Sequence, residues 1–333
     1  MKKKTLRLLL IGYGHLGEHL ARLLAAESWC RLVAVADPNR KALERATSLY
    51  QLSTFSHLDE ALAATTADVA VISTPSEQHY AQSASALRAG LHVLVAKPIT
   101  NSLAEAKKLV ALAGTRRRKL AVGQQIRFNR HYTALGRFIR SGKLGTLEVV
   151  HFLNSKPRHQ ALNLATMEQP AFYEMACHHF DSLLALCPGG AESIAAEGFR
   201  PSWSVYSGPC MVNALIRLKG GIHVLYHGGF SSQADCYELR LEGTRGALRC
   251  RGIHMSVDEM NYEFAPRGGA FSPVDVEAGM APVNPWHEFM QRWRAWLAGG
   301  EEPPFSARNN LKVFSLLAAG IESARTGRRV RVR

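Results

Sequence analysis

A chain of 333 residues is long enough for two domains that each bury a core, and a hydrophobic share of 47% excludes disordered and low-complexity classes. The net charge of +14 favours anionic ligands, but the basic runs Arg116 to Lys119 and Arg328 to Arg333 carry neither interleaved aromatics nor a helix-turn-helix pattern, so no nucleic-acid partner is expected. No stretch reaches the roughly 20 apolar residues of a membrane span, and the apolar run behind the basic start lacks a cleavage pattern, so a cytoplasmic protein with no membrane partner is expected.

The chain opens on the apolar run Leu8 to Ile11, which meets Gly12, Gly14 and Gly17 in the order G-x-G-x-x-G. Leu16, Leu20, Leu23 and Leu24 then recur on one helical face. Strand, tight turn and helix in this order form a dinucleotide fingerprint. Gly12 permits the turn, Gly14 lets the backbone approach a pyrophosphate, Gly17 lets the helix pack on its strand, and His15 and Leu16 lie at the helix start, where free N–H groups favour an anion. Asp37 follows twenty residues past Gly17, at the end of the next apolar run, Leu32 to Ala36. That is the place of a carboxylate that accepts ribose hydroxyls and repels a 2′-phosphate, so NAD is the expected cofactor, with NADP left open by Arg40 and Lys41.

A helix over Asn39 to Tyr50 and a short one ending at Ala61 to Ala64 precede a fully apolar strand, Val69 to Ile72, which stops at Ser73-Thr74-Pro75. A helix from Gln78 to Ala89 closes at Gly90, and His92 to Val95 forms the next strand, stopping at Ala96-Lys97-Pro98. A capping box, Ser102 with Glu105, opens a helix to Gly114, and Leu120 to Val122 adds a strand. Apolar strands alternating with amphipathic helices predict an α/β fold, a doubly wound parallel sheet of Rossmann type. Its strand ends share one carboxyl edge, which sets Lys97 beside the cofactor, with Pro98 restraining the turn.

The pattern changes past Val122, and the domains are expected at 1–123 and 124–333. A helix from Tyr132 to Ile139 leads through Gly142 and Gly145 into a strand, Leu147 to Leu153. Residues 192–257 read as successive strands with turn signals, and helices at Trp286 to Leu297 and Asn310 to Ala324 end the chain. This predicts an α+β domain with an open, mostly antiparallel sheet. Before those strands a helix from Phe172 to Leu186 carries Glu174, His178 and Asp181 at i, i+4 and i+7, all on one face. Such a stripe is either an ion-paired histidine or an acid–base site. His178 and His179 point apart, and the six cysteines (Cys30, Cys177, Cys187, Cys210, Cys236, Cys250) show no zinc spacing, so no metal is expected.

Residues 68–100 resemble the glucose-fructose oxidoreductase/inositol dehydrogenase (Gfo/Idh/MocA) family. The resemblance is carried by Thr74-Pro75, His79, the run Ala89-Gly90-Leu91-His92-Val93, and Lys97-Pro98, with Ala96 where the family usually has glutamate. Arg127-Phe128-Asn129 is similar to a family element at the domain junction, with Arg130 in place of proline, and Glu174, His178 and Asp181 match its Asp-x-x-x-His-x-x-Asp, with glutamate first. The resemblance implies an NAD(P)-dependent dehydrogenase acting on a secondary alcohol or ketone of a sugar, cyclitol or polyol. Thr74, Pro75, His79, Lys97 and Pro98 would border the cofactor, and Lys97, Arg127, Glu174, His178 and Asp181 the substrate. His178 would serve as general base, Lys97 would stabilise the reacting oxygen, and Glu174 would orient His178. The family also implies a homodimer or homotetramer built through the open sheet, and it includes a non-catalytic sugar-responsive regulator and NAD-dependent glycosidases as alternatives.

Overall fold

Largely apolar strands and one-faced helices alternate through the first third of the computed structural model, which describes residues 5–158, 160, 167–255 and 259–333. The order is β1 (Leu6–Ile11), α1 (His15–Ala25), β2 (Cys30–Ala36), α2 (Arg40–Tyr50), β3 (Ser53–Phe55), α3 (Leu58–Ala64), β4 (Val69–Ile72), α4 (Ser76–Arg88), β5 (His92–Val95), α5 (Leu103–Thr115) and β6 (Leu120–Val122). The six strands pair in parallel in the order β3-β2-β1-β4-β5-β6. β4 is buried along its whole length, as a strand covered on both faces must be. Strand order reverses between β1 and β4, so the glycine turn after β1 and Thr74 after β4 flank the switch point where such sheets bind ligands.

Local details differ from the sequence reading. The expected capping box does not form, because Ser102 makes no side-chain bond to α5. Thr100 Oγ1 instead accepts the Ser102 amide at 3.2 Å and donates to the Ser102 carbonyl at 2.7 Å. Leu16 is exposed at the start of α1 rather than buried with Leu20 and Leu24. β3 has only three residues, too few for a period-two signal.

The chain divides into two compact units. The first ends at Gln124 and takes in Met290–Leu311; the second comprises Gln125–Phe289 and Lys312–Arg333. The return of 290–311 departs from two contiguous domains. Trp293, fully buried, meets Trp29 edge to face at 5.7 Å, the Trp296 carbonyl accepts from Lys119 Nζ, and Ser306 bridges Ala121 on the open edge of β6. These contacts cover an edge strand with aromatic packing, a tertiary effect that local periodicity does not report.

The second unit is built on a nine-stranded sheet. It contains α6 (Arg130–Arg140), β7 (Leu147–Pro157), a π-helical turn (Ala171–Ala176), α7 (Cys177–Leu186), β8 (Ala191–Phe199), β9 (Met211–Leu218), β10 (His223–Gly229), β11 (Ser231–Gly243), β12 (Gly246–Gly252), β13 (Asn261–Pro266) and β14 (Ser272–Pro273). α8 (Pro285–Leu297), α9 (Ala307–Thr326) and β15 (Val330–Arg331) complete the chain. The strand order is β14-β13-β12-β11-β7-β10-β9-β8-β15, antiparallel except for the parallel pair β7 and β10. The end of the expected strand series, at 256–258, lies outside the described residues. β9 alternates buried and exposed side chains, so the sheet has one covered and one open face. On the covered face Phe152, Tyr226 and Tyr237 pack edge to face and Phe180 of α7 meets Tyr226 at 5.2 Å. On the open face Leu215 and Leu225, partners across β9 and β10, are each about half exposed.

Candidate active site and dinucleotide cradle

The glycine turn is fixed by what each glycine must avoid. Gly12 adopts φ +87°, and a Cβ there would meet the Ser73 backbone at 3.0 Å. At Gly17 a Cβ would lie 2.1 Å from the Gly12 carbonyl oxygen, so α1 packs on the turn with no room for a side chain. Gly14 is the opposite case: nothing lies within 4 Å of its missing Cβ, and Gly14, His15 and Leu16 are all exposed. No side chain caps α1, whose first-turn amides therefore face open space suited to a pyrophosphate. Asp37 closes the far side. Its carboxylate accepts from the Tyr13 amide at 2.6 Å and the Asn39 amide at 2.7 Å, one bond on each oxygen, which leaves lone pairs for ribose hydroxyls. The residues present thus fit a dinucleotide at both its phosphate and its ribose.

Across the switch point, Ser73 Oγ donates to the Gly12 carbonyl at 2.9 Å and ties β4 to the glycine turn. Thr74 and Pro75 stand at the start of α4, partly or fully exposed on the carboxyl edge. His79 is buried, and its ring faces two carbonyls, Pro98 at 2.7 Å from Nδ1 and Thr74 at 2.9 Å from Nε2. A neutral imidazole donates to only one of them. Burial lowers the pKa of the ring against the pull of both carbonyls. His79 therefore reaches the cofactor edge through the backbone, by clamping the loops that carry Thr74 and Pro98. Lys97, half-buried, sits between the Ala96 amide, bonded to Ile72 O at 2.8 Å, and that clamped Pro98 carbonyl.

In the second unit the expected Phe172–Leu186 helix is not uniform: Glu174 lies on the π-helical turn, and His178 and Asp181 lie on α7. Glu174 and His178 are half-buried, whereas Asp181 is 1% exposed. Asp181 turns inward to Arg127, with Nε 3.4 Å from Oδ2, and Arg127 Nη2 also donates to the Asp181 carbonyl at 3.3 Å. The structure thus brings Arg127 and Asp181 together as a buried ion pair. His179 anchors the same helix to the sheet. Asn154 Nδ2 donates to its Nε2 at 2.9 Å, so Nδ1–H donates to the Tyr226 hydroxyl at 2.8 Å. Burial lowers the His179 pKa far enough to keep it neutral. With His179 bolted inward, the adjacent His178 is held facing away from the sheet.

Residues 6–124 match the profile of the GFO/IDH/MocA oxidoreductase family, described as an NAD-binding Rossmann fold, and residues 132–249 match the GFO/IDH/MocA C-terminal domain. The chain belongs to the GFO/IDH/MocA oxidoreductase family. An inositol 2-dehydrogenase of Streptomyces avermitilis is 26% identical over 336 residues, covering 97% of this chain and 93% of its own. The D-apiose dehydrogenase of Paraburkholderia graminis is also 26% identical, over 345 residues, covering 97% and 89%. The WlbA dehydrogenase of Bordetella pertussis, solved with NADH and UDP-GlcNAcA, shares the fold at a TM-score of 0.84 over 99% of both chains, with 23% identity.

The first unit of this GFO/IDH/MocA oxidoreductase therefore carries the family's NAD-binding domain. The candidate residues of its second unit have neighbours that sequence reasoning missed, chiefly Asn154, His179 and Tyr226. Alternation along β7 sets Asn154 on the covered face, but its partner 25 residues on is visible only once the sheet is built. The Asp181 pair makes a measurable prediction. Burial raises the Asp181 carboxyl to about 6 against the opposing pull of Arg127, above the ~3.9 of an unfolded chain. Between those values the folded state holds the extra proton, so stability is full below ~4 and falls as pH rises through about 6. Asp181→Asn removes this titration, and urea unfolding should show a flatter stability profile across that window than wild type. An identical slope in both proteins would contradict the assignment.

Proposed function

We propose that this oxidoreductase interconverts a secondary alcohol and a ketone on a sugar, cyclitol or related polyol, using NAD. The observation that carries the reading is the pairing of an open, uncapped helix start at Gly14 with the Asp37 carboxylate, within a family whose relatives include inositol and apiose dehydrogenases. When bound, NAD supplies hydride acceptance from a carbinol carbon. The protein supplies the proton chemistry. His178 takes the hydroxyl proton, being the side chain whose ordinary pKa lies nearest neutrality. Lys97 donates a hydrogen bond to the reacting oxygen and stabilises its developing negative charge. Glu174 orients His178 or receives a neighbouring substrate hydroxyl. Arg127 and Asp181 hold α7 in place from beneath.

Asp37 supports NAD over NADP, because a 2′-phosphate would meet its carboxylate. Self-association is supported by the Leu215 and Leu225 pair on the open sheet face. A cytoplasmic setting is supported by the absence of disulfides among the cysteines, five of them buried. The direct test follows reduced nicotinamide absorbance with NAD or NADP and a panel of sugars, inositols and sugar acids. The expected result is a substrate-dependent rise with NAD at least about tenfold faster than with NADP, in line with one repelled charge. Equal or greater rates with NADP would refute the role of Asp37, and tight NAD binding without any reduction would refute the dehydrogenase.

A further inference from the structure

The covered face of the large sheet ends in positive charge. Asn154, Tyr237 and Gly252 form one cross-strand row over β7, β11 and β12. Lys156 stands two residues further along β7, on the face that Asn154 presents to His179. His254 stands two residues past Gly252, beside Met255, whose carbonyl accepts from Asn129 Nδ2 at 2.8 Å. Arg158 follows β7, its amide donating to the Phe230 carbonyl at 2.9 Å and its guanidinium 4.6 Å from the Phe230 ring.

These groups act on one another. Arg158 repels Lys156, and both repel His254; burial and this repulsion push Lys156 down to about 8 and His254 to about 3. The acids at hand are the exposed Asp235, which attracts Lys156, and Glu174, which acts on the same Tyr206 hydroxyl as Arg158. Lys156 is half-buried and Arg158 exposed, and like charges gathered at one strand end favour an anion that shares the site. Asn154, on the same sheet face as Lys156, donates to His179 on the helix that carries His178.

Resting on the oxidoreductase reading above, we propose that the substrate carries an oxyanion, a carboxylate or a phosphate on the sugar or polyol, and that Lys156 and Arg158 bind it. Arg158 offers a planar fork that matches either oxyanion, and Lys156 a point charge further along the sheet face. This narrows the substrate class from neutral polyols to acidic or phosphorylated ones.

The test compares NADH formation for pairs that differ in the anion: galactose with galacturonate, and glucose with glucose 6-phosphate. At least one anionic member should exceed its neutral partner in kcat/KM by about ten- to a hundredfold, the range of charge-assisted hydrogen bonds. The pair showing the preference distinguishes carboxylate from phosphate. Lys156→Met should reduce that ratio at least about tenfold with NAD affinity retained, and Lys156→Arg should keep most of it. Neutral members turned over as fast as their anionic partners overturn the proposal and leave the dehydrogenase intact. Where NAD binds but nothing is oxidised, the dehydrogenase reading fails on its own and binding decides the proposal. The anionic compounds then raise the Tm of the NAD-loaded wild type more than that of Lys156→Met, and equal shifts overturn it.

Discussion

Lys97→Ala loses about 10³-fold or more in kcat while NAD binds with nearly wild-type affinity. The size follows from two roles we assign to one ammonium group, the hydrogen bond to the reacting oxygen and a share with His178 in the proton relay. Removal of an oxyanion donor costs ~10² to 10³, and general acid–base groups contribute ~10² to 10⁴. The selectivity follows from the backbone. The Ala96 amide is bonded to Ile72, the Gly123 amide to Val95, and the Pro98 carbonyl to His79, so the loop keeps its course without the lysine side chain. Lys97→Arg should recover little, because a guanidinium is bulkier and holds its proton more firmly. Steady-state kinetics with a separate NAD titration checks both halves. Residual turnover within about tenfold of wild type would remove Lys97 from the chemistry. Joint loss of turnover and NAD affinity would make it a cofactor ligand instead.

The first sheet was legible because each of its signals is local. Four buried residues in a row at β4, glycines at fixed offsets after β1 and an acid at the end of β2 need no partner to be recognised. Lys97 was legible for the same reason, at the end of an apolar strand before a proline. What escaped is tertiary. Trp293 joins the first unit through Trp29, more than 260 residues earlier. The π-helical turn widens the segment bearing Glu174, and Pro170 before it signals only a helix start, not the wider turn. Asp181 shares a helical face with Glu174 and His178 by spacing, yet Arg127 draws it inward, because a buried charge requires a partner that spacing on one helix does not reveal. Lys156 and Arg158 carry no signal of their own in the sequence, and only the pairing of β7, β11 and β12 brings the ends of these strands together.

Gly14→Ala and Gly17→Ala should part company, although both break the same motif. At Gly14 the backbone is extended, with φ −78°, and an added methyl meets no atom within 4 Å, so the fold keeps its wild-type Tm. The methyl does occupy the space through which a pyrophosphate approaches the α1 amides, and NAD affinity falls at least about tenfold. At Gly17 the same methyl lies 2.1 Å from the Gly12 oxygen and 2.9 Å from its carbonyl carbon, both backbone atoms that cannot rotate away. Relief requires α1 to lift from β1 or the turn to shift from the φ that Gly12 holds. Overpacking of this kind costs ~1–3 kcal/mol and displaces the amides that receive the phosphates. Gly17→Ala should therefore lose both thermal stability and NAD binding, where Gly14→Ala loses binding alone. Paired thermal denaturation and NAD titration separate the two. A Gly17→Ala variant with wild-type Tm would show that the helix is not seated on the turn by close packing.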